Sequence, residues 1–237
     1  MEDNFYRGNL PHWQPPEATF FVTYRLFGSI PKSKIEALKA EYAYELERLE
    51  RYKKLDLSQQ NSKFFSLGLS EELQTDLENI WRKRKQLLQY QYFTSFDELL
   101  ESNLNEPHWL KTPEIANTCR QAIHYFDGQY YTLWAYTVMS NHIHIVLSLL
   151  PNAPILWAIL QRIKRFSATK ANAILDRTGL PFWEKESYDH LVRDGSFGRI
   201  MAYTLENPVK AGYVKRWEEY PYNYCHSSLM DEFRMDR

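Results

Sequence analysis

The chain has 237 residues, 44% of them hydrophobic and 25% charged, with a net charge of −1, a balance that excludes a largely disordered protein and gives length enough for one domain with a sizeable core. No stretch reaches membrane-spanning length, the first residues carry neither a basic segment nor a continuous apolar run, and Cys119 and Cys225 stand in no CxxC or zinc-finger spacing. Membrane anchoring, secretion, a disulfide framework and structural zinc are therefore not expected, and a cytoplasmic location is the default.

Residues 19–26, Thr-Phe-Phe-Val-Thr-Tyr-Arg-Leu, are β-branched and aromatic and stop at Gly28 and Pro31, which predicts a first strand. From there to about Leu110 the texture is helical. Ile35, Leu38, Tyr42, Leu46 and Leu49 recur at helical spacing, as do Leu73, Leu77, Ile80, Trp81, Leu87 and Leu88. The polar residues 56–63 between them read as the turn of a helical hairpin, with Ser70 capping the second helix. Residues 113–126 predict a helix that opens on Pro113 and ends before Asp127-Gly128. Two strands, 130–138 and 142–149, follow across the short link Met139-Ser140-Asn141. A long helix over 154–175, a strand over 188–193 and a helix from Ser196 to about Glu206, halted by Pro208, complete the order. Without the helical segment this is an α+β pattern of ferredoxin-like type: an antiparallel sheet with helices on one face and a further C-terminal helix.

Residues 151–216 hold 11 Lys/Arg against 6 Asp/Glu, a net of +5, so the basic surface belongs to the C-terminal half, as a polyanionic substrate would require. Arg162, Lys164, Arg165 and Lys170 supply much of the charge of the long helix and are its candidates for contact with a nucleic-acid backbone. Trp157, on the same helix, reads as core.

His142 and His144 alternate with Ile143 and Ile145. In a strand, side chains two apart share a face, so both imidazoles can meet one metal ion while the isoleucines enter the core. Chance alone gives roughly 0.2 such His-x-His pairs for seven histidines in a chain of this length, so the pair is weak by itself. On the last helix the apolar stripe is Phe197, Ile200, Met201, Thr204 and Leu205. Tyr203 points about 130° from the centre of that stripe, with Arg199 and Asn207 one turn to either side. A plain surface tyrosine and a turn-forming asparagine before Pro208 are the bland readings of these two positions.

Three ordered motifs, Ser140-Asn-His-Ile-His144, Tyr188-Asp-His-Leu-Val-Arg193 and Tyr203-Thr-Leu-Glu-Asn-Pro-Val-Lys-Ala-Gly212, together with the tail Tyr220-Pro-Tyr-Asn-Tyr-Cys-His-Ser-Ser228, resemble the REP-associated tyrosine transposases of the HUH class of single-strand endonucleases. The resemblance covers 19–26 and about 113–228, and implies one catalytic domain over 1–237 with a helical insertion at 28–112. It implies that His142 and His144 bind a divalent metal, Mg²⁺ or Mn²⁺, that Asn207 completes the metal site, and that Tyr203 cuts DNA through a 5′-phosphotyrosine. Single-stranded or hairpin DNA would be the partner, and a homodimer the assembly. Many members carry Pro before the Asn-His, where this chain has Ser140. His190 could position strand or tyrosine, although a structural hydrogen bond is its more ordinary role. A domesticated protein that binds DNA without cutting it, or an unrelated metal-dependent hydrolase, remains the alternative.

Overall fold

The computed structural model describes residues 5–7, 11–13, 15–67, 71–102, 107–193 and 195–234, the side chains of 5–13, 56–74 and 77 excepted. Its elements run β1 (Phe5–Arg7), β2 (Pro11–Trp13), β3 (Thr19–Arg25), α1 (Lys32–Leu67), α2 (Glu71–Ser102), α3 (Pro113–His124), β4 (Tyr131–Val138), β5 (His142–Leu149), α4 (Leu156–Ile174), β6 (Tyr188–Leu191), α5 (Phe197–Lys210), β7 (Asn223–Cys225) and α6 (Met230–Phe233). They divide into two compact units, Met1–Ser29 with Asn105–Arg237, and Ile30–Leu104.

In the first unit β1 and β2 form a two-stranded ribbon, and a five-stranded antiparallel sheet runs in the order β6-β3-β5-β4-β7. Set aside the edge strand β7, and the strands lie fourth, first, third, second in chain order, with α3 and α4 as the two crossovers. This is the ferredoxin-like α+β arrangement expected from the element order.

The period of two decides which side chains go where. Phe20, Val22 and Tyr24 of β3, Ile143, Ile145 and Leu147 of β5, and Tyr136 and Val138 of β4 enter one hydrophobic core. Ile115, Cys119 and Ile123 of α3 and Leu156, Ile159 and Ile163 of α4 close that core from the same side. The intervening residues Phe21, Thr23, His142 and His144 lie on the other face of the sheet, where α5 packs against β4 and β5. A register shift in β4 between Leu133 and Ala135 keeps both rows in phase: past it, Tyr136 pairs with Ile145 on the core side, and Thr137 pairs with His144 on the α5 side.

Local sequence accounts for several boundaries. Pro113 opens α3 as its first residue, where its missing N–H costs nothing. The turn after α3 uses Gly128 at φ +74° and an Asp127 carboxylate that accepts the Leu133 N–H. Two expectations need correction at α5. Pro208 does not halt the helix, which continues to Lys210 with Pro208 inside it. One backbone bond is lost there, but Leu205, Asn207 and Pro208 are buried, so packing outweighs the proline penalty in a last turn. The Ser196 hydroxyl does not cap the helix; it donates to Arg193 O and accepts the Arg193 N–H, closing the preceding turn.

In the second unit α1 and α2 pack antiparallel, since Tyr42 meets Tyr92 while Glu50 pairs with Lys85. Residues 56–63, read as a turn, are helical within α1, because Asp, Ser and Gln cost a helix only tenths of a kcal/mol each and do not break it. Ser70 lies outside the described residues. Among those described, no helix is long and apolar enough to cross a membrane.

Because Ile145 is fully buried on the core face while its neighbours point the other way, Ile145→Ala should cost about 2–5 kcal/mol in urea unfolding, and the metal affinity of the folded fraction should match that of the parent. A large loss of metal affinity in folded Ile145→Ala would contradict this separation of faces.

Candidate metal and nucleophile site

The α5-side face carries His142 and His144 at the middle of the sheet, where both are buried. A buried imidazole needs partners on both ring edges. Each histidine gets its Nδ1 partner from the fold: Asn141 Oδ1 accepts from His142 Nδ1 at 2.7 Å, and Thr23 Oγ1 lies 2.7 Å from His144 Nδ1. With Nδ1 as the donor, Nε2 is an acceptor on each ring, which is the tautomer that binds metal. The two Nε2 atoms lie 3.1 Å apart. Neighbouring ligands on an octahedral divalent ion, each about 2.1 Å from it, are separated by about 3 Å.

Asn207, fully buried on α5, brings its carboxamide to the same place, with Nδ2 3.4 Å from His144 Nε2. Its Oδ1 is buried with no hydrogen-bond partner among the described residues. A buried orphan acceptor beside two imidazole acceptors is what a bound cation would satisfy, and turning the amide over points oxygen at the histidines. The donor set therefore fits a divalent ion held by His142 Nε2, His144 Nε2 and Asn207 Oδ1.

Tyr203 stands one turn before Asn207 and is half-buried. Its ring meets His144 edge-on at 5.8 Å between centroids and Phe21 at 5.9 Å, while Phe21 stacks on His144 at 5.4 Å. One chain thus brings the tyrosine, both histidines and the asparagine together. His190 of β6 pairs with Phe21 in register and so flanks the same face. Burial, aided by Arg193, lowers its pKa and favours the neutral ring, with Asp189 opposing.

The basic helix lies elsewhere. α4 covers the opposite, core side of the sheet, so Arg162, Arg165 and Lys170 do not line the His–Tyr face. Arg162 is engaged with Tyr130, donating to its hydroxyl and lying over its ring. Lys164 is not a surface cation: it is buried, and its ammonium donates to Glu184 O, Lys185 O and Ser187 Oγ. Burial pushes its pKa down to about 8 against the pull of Glu184. It clips α4 to the segment that leads into β6, an engagement that a contact to a nucleic-acid backbone would have to break. Trp157, expected in the core, is 37% exposed.

Four contributors escaped the sequence reading. Thr23 faces His144 only through strand register. Asn141 belongs to the first motif, and its carboxamide oxygen accepts from His142 Nδ1. Ser140, noted above as standing where many transposases of that type carry Pro, is a buried hub whose hydroxyl lies 2.8 Å from His108 Nδ1 and accepts from Tyr213 OH. Lys210 holds its ammonium 4.3 Å from the Tyr203 ring centroid. A seven-residue step returns to within about 20° on a helix, so its periodicity was a usable signal.

Among solved structures, the chain is similar to one described as the REP-associated tyrosine transposase bound to a REP hairpin, with a TM-score of 0.51 and 14% identity over 97% of this chain and 87% of that one. At that identity the likeness is one of fold. No family model matches the chain, and no curated protein matches it.

Thr23→Val removes the hydroxyl beside His144 Nδ1 and keeps the shape, so Mn²⁺ affinity measured by titration calorimetry should fall about 10–100-fold; an unchanged affinity would show that the hydroxyl does not orient the ring. Lys164→Met removes the donor from two part-buried hydrogen bonds to Glu184 O and Lys185 O and should cost about 1–3 kcal/mol of stability. Arg165→Ala, at an exposed position, should stay within about 0.5 kcal/mol, and equal costs for the two would restore Lys164 to the surface set.

Proposed function

We propose that this protein is a metal-dependent single-strand DNA endonuclease of the transposase type, cutting by transesterification onto Tyr203. The observation that carries the reading is the contact of the Tyr203 ring with His144 in a site that also holds His142 and the orphan carboxamide of Asn207. The ferredoxin-like fold shared with a tyrosine transposase supports it, as do the three sequence motifs. Single-stranded or hairpin DNA is the proposed substrate.

His142, His144 and Asn207 would hold the divalent cation, Mg²⁺ or Mn²⁺. Bound there, the cation polarises a phosphoryl oxygen and offsets charge developing on it. Imidazole ligands favour Mn²⁺ over the harder Mg²⁺. Thr23 and Asn141 fix the ring tautomers, and Phe21 fixes the plane of His144. Helix α5 sets Tyr203 at the edge of that ring. The Tyr203 oxygen forms a bond to phosphorus as the P–O3′ bond breaks; the phenol proton passes to solvent and the leaving 3′ oxygen takes one up. A phosphodiester is exchanged for a phosphodiester, so rejoining needs no nucleotide triphosphate. All four residues lie in one chain, so a homodimer is not needed to complete the site.

Incubation with 5′-labelled and 3′-labelled hairpin strands and Mn²⁺ should give a denaturant-stable adduct on the 5′-phosphate side of the cut. Tyr203→Phe should abolish the adduct while fold, metal binding and DNA binding persist. His144→Ala should lose metal binding and cutting together. Cutting without an adduct would identify metal-activated water as the nucleophile, and a protein that binds the strand without cutting it would belong to the domesticated class.

A further inference from the structure

We infer that Lys210 is a catalytic residue of the Tyr203 site, its ammonium being the protein's own cation for the phosphoryl group that is transferred. The inference rests on the proposed reading of Tyr203 as nucleophile and extends it to a residue outside the His-x-His, Asn and Tyr set.

Lys210 occupies the last turn of α5, two turns after Tyr203, and its ammonium lies 4.3 Å from the centre of the tyrosine ring. The side chain is exposed, and among the described residues no carboxylate forms an ion pair with it. Arg25, on the same face of β3, is bound to Glu184 and Ser29, and Arg199, one turn before Tyr203, lies close enough to His190 to act on it. A phosphorus atom bonded to the Tyr203 oxygen would carry its two non-bridging oxygens three bonds beyond the ring carbon, within the arc that the flexible lysine stem sweeps. Charge-assisted N–H···O bonds to phosphate are roughly twice as strong as neutral ones. A cation bound to the imidazole and carboxamide side of the site leaves the face of the ring to Lys210, so the two positive charges flank the phosphoryl group rather than compete for one position. Lys210 stays protonated throughout; no proton moves through it.

The test uses the full-length protein, Tyr203→Phe, Lys210→Met and Lys210→Arg, with a single strand ending in either a 5′-phosphate or a 5′-hydroxyl. Equilibrium binding without Mn²⁺ should favour the 5′-phosphate about 10-fold in the parent, Tyr203→Phe and Lys210→Arg, and should show no preference in Lys210→Met, whose affinity for the 5′-hydroxyl strand should match the parent's. In single-turnover adduct formation with Mn²⁺, Lys210→Met should be about 30-fold or more slower, with unchanged Mn²⁺ affinity, and Lys210→Arg should recover most of the rate. A 5′-phosphate preference that survives in Lys210→Met, or an adduct rate equal to the parent's, overturns the inference and leaves the nucleophile assignment standing. A Lys210-dependent phosphate preference with no adduct in the parent does the reverse: the lysine site holds and the Tyr203 reading falls.

Discussion

The structure turns on the alternation of β5. His142-Ile143-His144-Ile145 sends every second side chain to the hydrophobic core and the others to the face under α5. That alternation holds only in one register, because a one-residue slip would drive both imidazoles into a core of Leu, Ile and Tyr and expose the isoleucines. The cost of burying two unsatisfied rings in that core, several kcal/mol together, makes the register of β3, β5 and β4 a single decision. The bulge in β4 and the pairing of Thr23 opposite His144 belong to the same decision.

Helix α5 supplies the rest of the site through its own period. Tyr203, Asn207 and Lys210 succeed one another at four and three residues, so they rise along one side of the helix. Met201, Thr204 and Leu205 fix the helix to the sheet from the adjoining side. Pro208 is tolerated because it sits in the final turn and is buried with Asn207. A helix ending before the proline would have placed Asn207 in a turn with free choice of direction; continuing through it points the carboxamide back at His144.

The division of positive charge follows the layers of the fold. α4 lies on the core side and spends Lys164 on holding the segment before β6 and Arg162 on Tyr130. The cations near the other face come from the turn after β6 and from α5. Arg193 and Arg199 are close enough to His190 to act on it electrostatically, which with burial keeps that ring neutral. In the proposed reaction, a strand passing the tyrosine would therefore meet positive charge from the edge of the sheet and from the end of α5, not from the most basic helix of the chain.

Much of this was legible in the residues alone. The strand from Thr19, the helix from Pro113, the paired strands around Ser140-Asn141 and the long helix after Pro154 all carry local patterns strong enough to fix their type, because a period of two or of 3.6 is written in consecutive residues. His142, His144, Tyr203 and Asn207 were legible as chemistry-bearing positions for the same reason. The face of the sheet that α4 covers was not, since helical charge counts say nothing about which side a crossover takes. Nor were the partners of the two histidines: Thr23 is 121 residues from His144 in the chain, and the contact of Ser140 with His108 and Tyr213 spans three separate segments. Local periodicity determined which elements form and which side chains share a face; only the long-range strand register and helix packing decided what each of those faces meets, because those choices depend on contacts between residues that the sequence keeps far apart.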